Sequence, residues 1–165
     1  MAQTNHPHSL DYALPLVLDA SSPMIQVGIA DREGWRALKK AEGQAMESLF
    51  RSCAELFEEL NTGMGKVDAV FYCEGPGSTL GLRIAAALTR TIQWDGSDRQ
   101  VALLKYNSMD LATRMTDLAS PTLQAPYRMG SRLVRFEEGK AIGRKEVHKA
   151  EDALLEFPQS HHLPD

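Results

Sequence analysis

Apolar and polar positions along this chain follow two different periods. Leu14–Asp19 is a short apolar run that ends on a carboxylate, and Met24–Ala30 and Trp35–Lys39 are two more. Runs of this length, rich in Leu, Val and Ile, are strand-like, and Pro15 stands near the start of the first, where a missing donor is tolerated. Ala20-Ser21-Ser22-Pro23 and Asp31–Gly34 carry turn chemistry, so an antiparallel meander of three strands is expected. From Ala45 to Leu60 the period changes. Met46, Leu49, Phe50, Cys53, Leu56, Phe57 and Leu60 form one apolar stripe, and Glu47, Arg51, Glu55, Glu58 and Glu59 take the other side, the pattern of an amphipathic helix.

A strand, a glycine turn and a second helix come next. Val67–Cys73 is apolar, β-branched and aromatic; Gly75, Pro76 and Gly77 break it; Leu80, Ile84, Ala87 and Leu88 then set a helical period from Thr79 to Trp94. Ser78 stands where an N-cap hydroxyl accepts from the free N–H groups of a first turn. Past the polar loop Asp95–Arg99, Val101–Lys105 reads as a strand and Asn107-Ser108-Met109-Asp110 as a helix start with an Asn or Ser cap. Thr122–Tyr127, Ser131–Phe136 and Lys140–Val147 are expected as short strands and Ala150–Phe157 as a short helix. The chain divides accordingly into a tail (1–12), a main domain (13–118), a small second lobe (119–157) and a closing tail (158–165).

Composition narrows the class of protein without naming an activity. With 165 residues, 43% hydrophobic and 24% charged, the chain has enough apolar material for one buried core or two small lobes. A net charge of −4 gives no global attraction to nucleic acid or to an anionic membrane. No apolar run approaches the roughly 20 residues that span a bilayer, and no secretory signal pattern is visible, so a cytoplasmic location is expected. Cys53 and Cys73 are then expected as reduced packing residues. Residues 128–149 run against the overall balance, with seven Lys/Arg against three Glu. Arg132, Arg135, Arg144 and Lys145 are the candidates for contact with RNA phosphates; the other reading is a solvated strand edge that discourages aggregation.

Two turns are candidate phosphate sites: Asp19, Ser21 and Ser22 after the first strand, and Gly75, Gly77 and Ser78 before the second helix, where free amides attract anions. Gly81 is followed by Leu82 and Arg83, so the Walker pattern fails, and the spacing of Gly75, Gly77 and Gly81 misses the dinucleotide fingerprint. The competing reading is that the polar side chains hydrogen-bond their own turns and the glycines let the helix pack closely. Arg83 either pairs with a carboxylate such as Glu74 or meets a partner. No His-x-x-x-His pair, Gly-x-Ser-x-Gly elbow or nucleophile with a histidine partner is present, and His6 and His8 lack further metal ligands. Neither a metal nor a catalytic residue is expected.

The turn and helix start also carry a resemblance. Gly75-Pro76-Gly77-Ser78-Thr79-Leu80-Gly81-Leu82-Arg83-Ile84 is similar to the Gly-Pro-Gly-Ser-Phe-Thr-Gly-Leu-Arg-Ile signature of the TsaB (YeaZ) family, differing at Thr79 and Leu80. Leu16-Val17-Leu18-Asp19-Ala20-Ser21 resembles that family's opening Leu-Ala-Ile-Asp-Thr-Ser, and Tyr106–Ala112 its Ser-Leu-x-x-Leu-Ala segment. The resemblance covers Leu14–Leu111 and reaches Pro121–Val147 poorly, because a typical second domain is longer. The chain also has Gly43-Gln44-Ala45-Met46 where the family usually has a His-Ser pair.

The resemblance implies an α/β fold of the ASKHA (actin-like ATPase, ribonuclease-H-like) type. Its five-stranded mixed sheet would have helices on both faces, and a reduced second lobe would follow. It implies a non-catalytic subunit, from a group once classed with glycoproteases, that dimerises with a TsaD-like protein during threonylcarbamoyl transfer to tRNA adenosine. The interface would be helical, through Met46, Phe50, Leu80, Arg83, Ala87 and Arg90, with a homodimer in the partner's absence and indirect tRNA contact through the basic segment. No tightly held cofactor is implied, only weak ATP or ADP binding. The alternatives are an ATP- or phosphate-binding enzyme using the two turns, or a degenerate paralogue that binds another protein.

Overall fold

Five strands and two long helices account for most of the main domain. The computed structural model describes residues 12–31, 33–95, 100–114, 122–127, 130–137 and 140–149. The strands are β1 (Pro15–Asp19), β2 (Met24–Ala30), β3 (Trp35–Glu42), β4 (Ala69–Gly75) and β5 (Ala102–Asn107), and the helices are α1 (Ala45–Glu59), α2 (Thr79–Asp95) and α3 (Ser108–Arg114). The sheet order is β3-β2-β1-β4-β5. The meander pairs antiparallel, and β1–β4 and β4–β5 pair parallel. A parallel neighbour requires a crossover, and α2 supplies the one between β4 and β5.

Side-chain alternation explains how the helices lie on the sheet. Leu16 and Leu18 of β1 are in register with Ile29 and Val27 of β2, and Leu16 with Val70 of β4. All are buried in one cluster with Leu49 and Leu56 of α1 and Ala85, Leu88 and Ile92 of α2. Both long helices therefore cover the same face of the sheet. Each fully buried Leu or Ile contributes roughly 1.5–3 kcal/mol. The third helix packs on β4 and β5 with Met109 and Ala112 buried.

Local chemistry sets the element ends. Asn61, at φ 47°, closes α1: its N–H donates to the Glu58 carbonyl and the Thr62 N–H to the Phe57 carbonyl, the pattern of a left-handed helix stop. A 3-10 turn at Met64–Lys66 follows. β4 begins at Ala69, two residues later than expected, because the Asp68 carboxylate is turned sideways to accept from the N–H groups of Ala13 (2.6 Å) and Leu14 (2.9 Å). That clamp fixes the start of β1 beside β4. Tyr12, assigned to the first tail, packs edge-on against Phe71. β3 runs to Glu42, past the expected Lys39, because it pairs along the whole of β2, with Met24 opposite Glu42; as an edge strand it can carry Lys39 and Lys40.

A second, antiparallel sheet joins β6 (Thr122–Tyr127), β7 (Gly130–Glu137) and β8 (Lys140–Lys149) in the order β6-β7-β8. The tails over 1–11 and 158–165 and the helix expected at Ala150–Phe157 lie outside the described residues.

Candidate functional site: a turn cluster and an exposed helical face

The two turns singled out in the sequence meet at the C-terminal ends of β1 and β4. Asp19 is 5% exposed. One of its carboxylate oxygens, Oδ1, accepts from the Ser21 N–H (2.8 Å) and the Ser21 hydroxyl (2.6 Å), and Oδ2 accepts from the Tyr106 hydroxyl at 3.0 Å. The Ser78 N–H donates to the Ser21 carbonyl at 2.7 Å, which ties the second turn to the first. Ser78 caps α2: its hydroxyl accepts from the Gly81 N–H at 3.2 Å and its carbonyl from the Leu82 N–H. Ser108 donates to the Pro76 carbonyl at 2.7 Å. The Gly75–Pro76 peptide is cis.

Glycine is needed here for close approach. A Cβ at Gly77 would overlap the Ser21 carbonyl, and one at Gly81 the Ala20 carbonyl. Only bare backbone lets α2 start against the β1–β2 turn, and Gly75 turns the chain at φ 108°. Ser22 is buried, with its hydroxyl donating to the Met24 carbonyl. Beside the cluster lies a cleft of about 380 Å³, lined by Ser21, Ser22, Pro23, Ile25, Gly43, Ala45, Gly77, Ser78 and Thr79. The starts of both long helices face it.

Beneath the turns, the Cys73 thiol accepts from the Gly75 N–H and is 1% exposed. Burial first, and the Asp19 carboxylate second, push it up to about 11; burial pushes Cys53 up to about 12. Neither is a thiolate near neutral pH, so neither is primed as a nucleophile. Burial and Asp19 likewise raise Tyr106, which stays a donor. Among the described residues, no three His, Cys, Asp or Glu side chains lie together as a metal site.

The outer surface of α1 and α2 differs in kind. Met46 is 62% exposed, Phe50 49%, Leu80 64% and Trp94 72%. On α2, Leu80, Ala87 and Trp94 recur every seven residues with Arg83 and Arg90 between them, all solvent-facing. A heptad drifts only about 20° around a straight helix, so these form one stripe. On α1, Met46, Phe50 and Ala54 are exposed at intervals of four, flanked by Glu47, Glu55 and Glu58. Sequence reading missed Trp94; its signal was that seven-residue spacing. Arg83 does not pair with Glu74, which is bound by Lys105 of the neighbouring strand at 2.7 Å. Among the described residues Arg83 and Arg90 make no ion pair.

In the second sheet, Arg132 lies opposite Val147 and Arg135 opposite Ile142, while Arg144 and Lys145 fall where the β7–β8 register shifts.

A family profile described as "TsaD: tRNA N6-adenosine threonylcarbamoyltransferase" matches residues 39–129, more than half of the chain. The chain belongs to the TsaD family. YeaZ from Pseudomonas aeruginosa aligns with this TsaD-family chain at a TM-score of 0.63 and 17% identity, over 89% of this chain and 72% of that one. A crystal structure described as an uncharacterized protein with similarity to peptidase YeaZ from Pseudomonas aeruginosa gives 0.63 and 17%, over 88% and 70%. No curated protein matches the sequence. The fold is thus YeaZ-like, the ASKHA-type five-stranded mixed sheet with flanking helices that the resemblance implied. Among the described residues no helix is long and apolar enough to cross a membrane.

Proposed function

We propose that this chain is a non-catalytic subunit that pairs with a TsaD-type protein and supports threonylcarbamoyl transfer to adenosine in tRNA. The observation that carries the reading is the outer face of α1 and α2. Met46, Phe50, Leu80 and Trp94 stand exposed on two adjacent helices, and several large apolar groups left exposed on neighbouring elements support an interaction surface. A partner helix would bury that stripe and place carboxylates against Arg83 and Arg90. Family membership sets the pathway, and the raised thiols support a role without nucleophilic chemistry. The complex would work in the cytoplasm, with a homodimer through the same face when the partner is absent. Any tRNA contact through Arg132, Arg135, Arg144 and Lys145 would be indirect.

A reconstituted modification assay tests this. Adding the chain to a TsaD-type enzyme, threonylcarbamoyl donor and tRNA is expected to raise product formation, and to do so far less with Leu80→Asp. No stimulation by the native chain would overturn the reading.

One observation favours a second reading, an ATP- or phosphate-binding enzyme. The cleft of about 380 Å³ collects Ser21, Ser22, Ser78 and Thr79 at two helix starts, where amides favour anions. Calorimetric titration with magnesium-ATP separates the two, since the scaffold reading expects weak binding at most and the enzyme reading a saturable micromolar site.

A further inference from the structure

The polar groups beneath the turns connect three stretches of chain that lie far apart in sequence. From β5, Tyr106 donates to Asp19 at the end of β1; Asp19 holds Ser21; Ser21 accepts from Ser78; and Ser78 caps the first turn of α2. Ser108 reinforces the path by donating to the Pro76 carbonyl. Both Asp19 oxygens accept inside the protein, Oδ1 from Ser21 and Oδ2 from Tyr106. Buried polar groups satisfied in this way rigidify what they join, whereas loss of one partner leaves the other unsatisfied and costly. Cys73 sits under the path, in register with Tyr106, with Ser21 and Ser108 beside its sulfur.

We infer that Tyr106, Asp19, Ser21 and Ser78 form an internal clasp, with Tyr106 as its positioning residue, that fixes the first turn of α2 on the sheet. The clasp uses Asp19 as a structural acceptor, and this carboxylate does not line the neighbouring cleft, whose polar lining is Ser21, Ser22, Ser78 and Thr79. Leu80 stands on the turn that the clasp fixes, so the exposed face inherits its position from a residue of β5. The inference goes beyond the partner reading, and its test needs no partner.

The test follows the reactivity of Cys73 toward a small aromatic disulfide reagent in full-length Cys53→Ala protein, and that of Cys53 in full-length Cys73→Ala protein. Opening of the clasp uncovers Cys73 locally. Tyr106→Phe, which keeps the ring and removes the donor, is expected to speed Cys73 by about tenfold or more while leaving Cys53 within about twofold. Amide exchange at Ser78 and Gly81 should rise with it. Ser21→Ala, a milder change should Tyr106→Phe fold poorly, is expected to shift the ratio of the two rates in the same direction. Equal acceleration of both cysteines would mean general destabilisation and overturn the clasp, as would an unchanged Cys73 in both variants.

Discussion

The turn cluster and the outer helical face meet at the start of the same helix, yet they treat their side chains in opposite ways. Around Asp19, Ser21 and Ser78, polar groups that could have met a ligand are turned on one another, Asp19 and Ser21 buried and Ser78 half-buried. Along Leu80, Ala87 and Trp94, apolar groups that could have joined the core stand in water. The first region pairs its polar groups internally, and the second leaves large apolar groups exposed. Motif chemistry alone points to the turns as the site; the distribution of satisfied and unsatisfied groups points to the helices.

Substitutions sharpen that contrast. Among substitutions, the largest effect on stability is expected from Gly81→Ala, whose new Cβ meets the Ala20 carbonyl. Crowding against backbone that cannot yield costs about 1–3 kcal/mol or more, read as a lower urea midpoint. Alkaline pH tests the buried thiols separately. Burial holds Cys53 and Cys73 up to about 12 and about 11, against 9.0 for a free thiol. Below pH 9 folded and unfolded chains bind these protons equally. Above it the unfolded chain releases protons that the folded chain keeps, so stability falls by about 1.4 kcal/mol per pH unit for each thiol. Urea unfolding between pH 8 and 11 should show that slope, and Cys53→Ala should reduce it.

Ser78→Ala removes the acceptor of the Gly81 N–H and is expected to cost about 1 kcal/mol. Asn61→Gly, at φ 47°, is the smallest change and should raise stability by about 0.5 kcal/mol. On the outer face, by contrast, Leu80→Asp should leave the thermal midpoint within a degree or two, as exposed positions do. A large loss there would break the comparison, because Leu80 would then belong to the fold.

Much of the fold was legible because it is written in local periods. The stripe from Met46 to Leu60 gave α1 nearly to the residue, and Ser78 marked the start of α2. Long-range partners were not legible. Nothing near Val67 in sequence tells that Asp68 will clamp Ala13 and Leu14 and delay β4. Glu74 has several cations within reach along the chain, but the parallel register brings Lys105 to it and leaves Arg83 outside. Tyr106 escaped notice for the same reason: its partner is 87 residues away. The turn residues were found as candidates, but that they would satisfy one another depends on packing that no local pattern encodes.

The most direct test of the partner reading is light-scattering chromatography of this chain mixed with a TsaD-type protein, native and as Leu80→Asp, alongside thermal melts of both. The account predicts a one-to-one complex for the native chain, affinity weakened at least about a hundredfold by Leu80→Asp, and equal melting of the two chains. Clean separation of the native pair, or undiminished binding by Leu80→Asp, would contradict it.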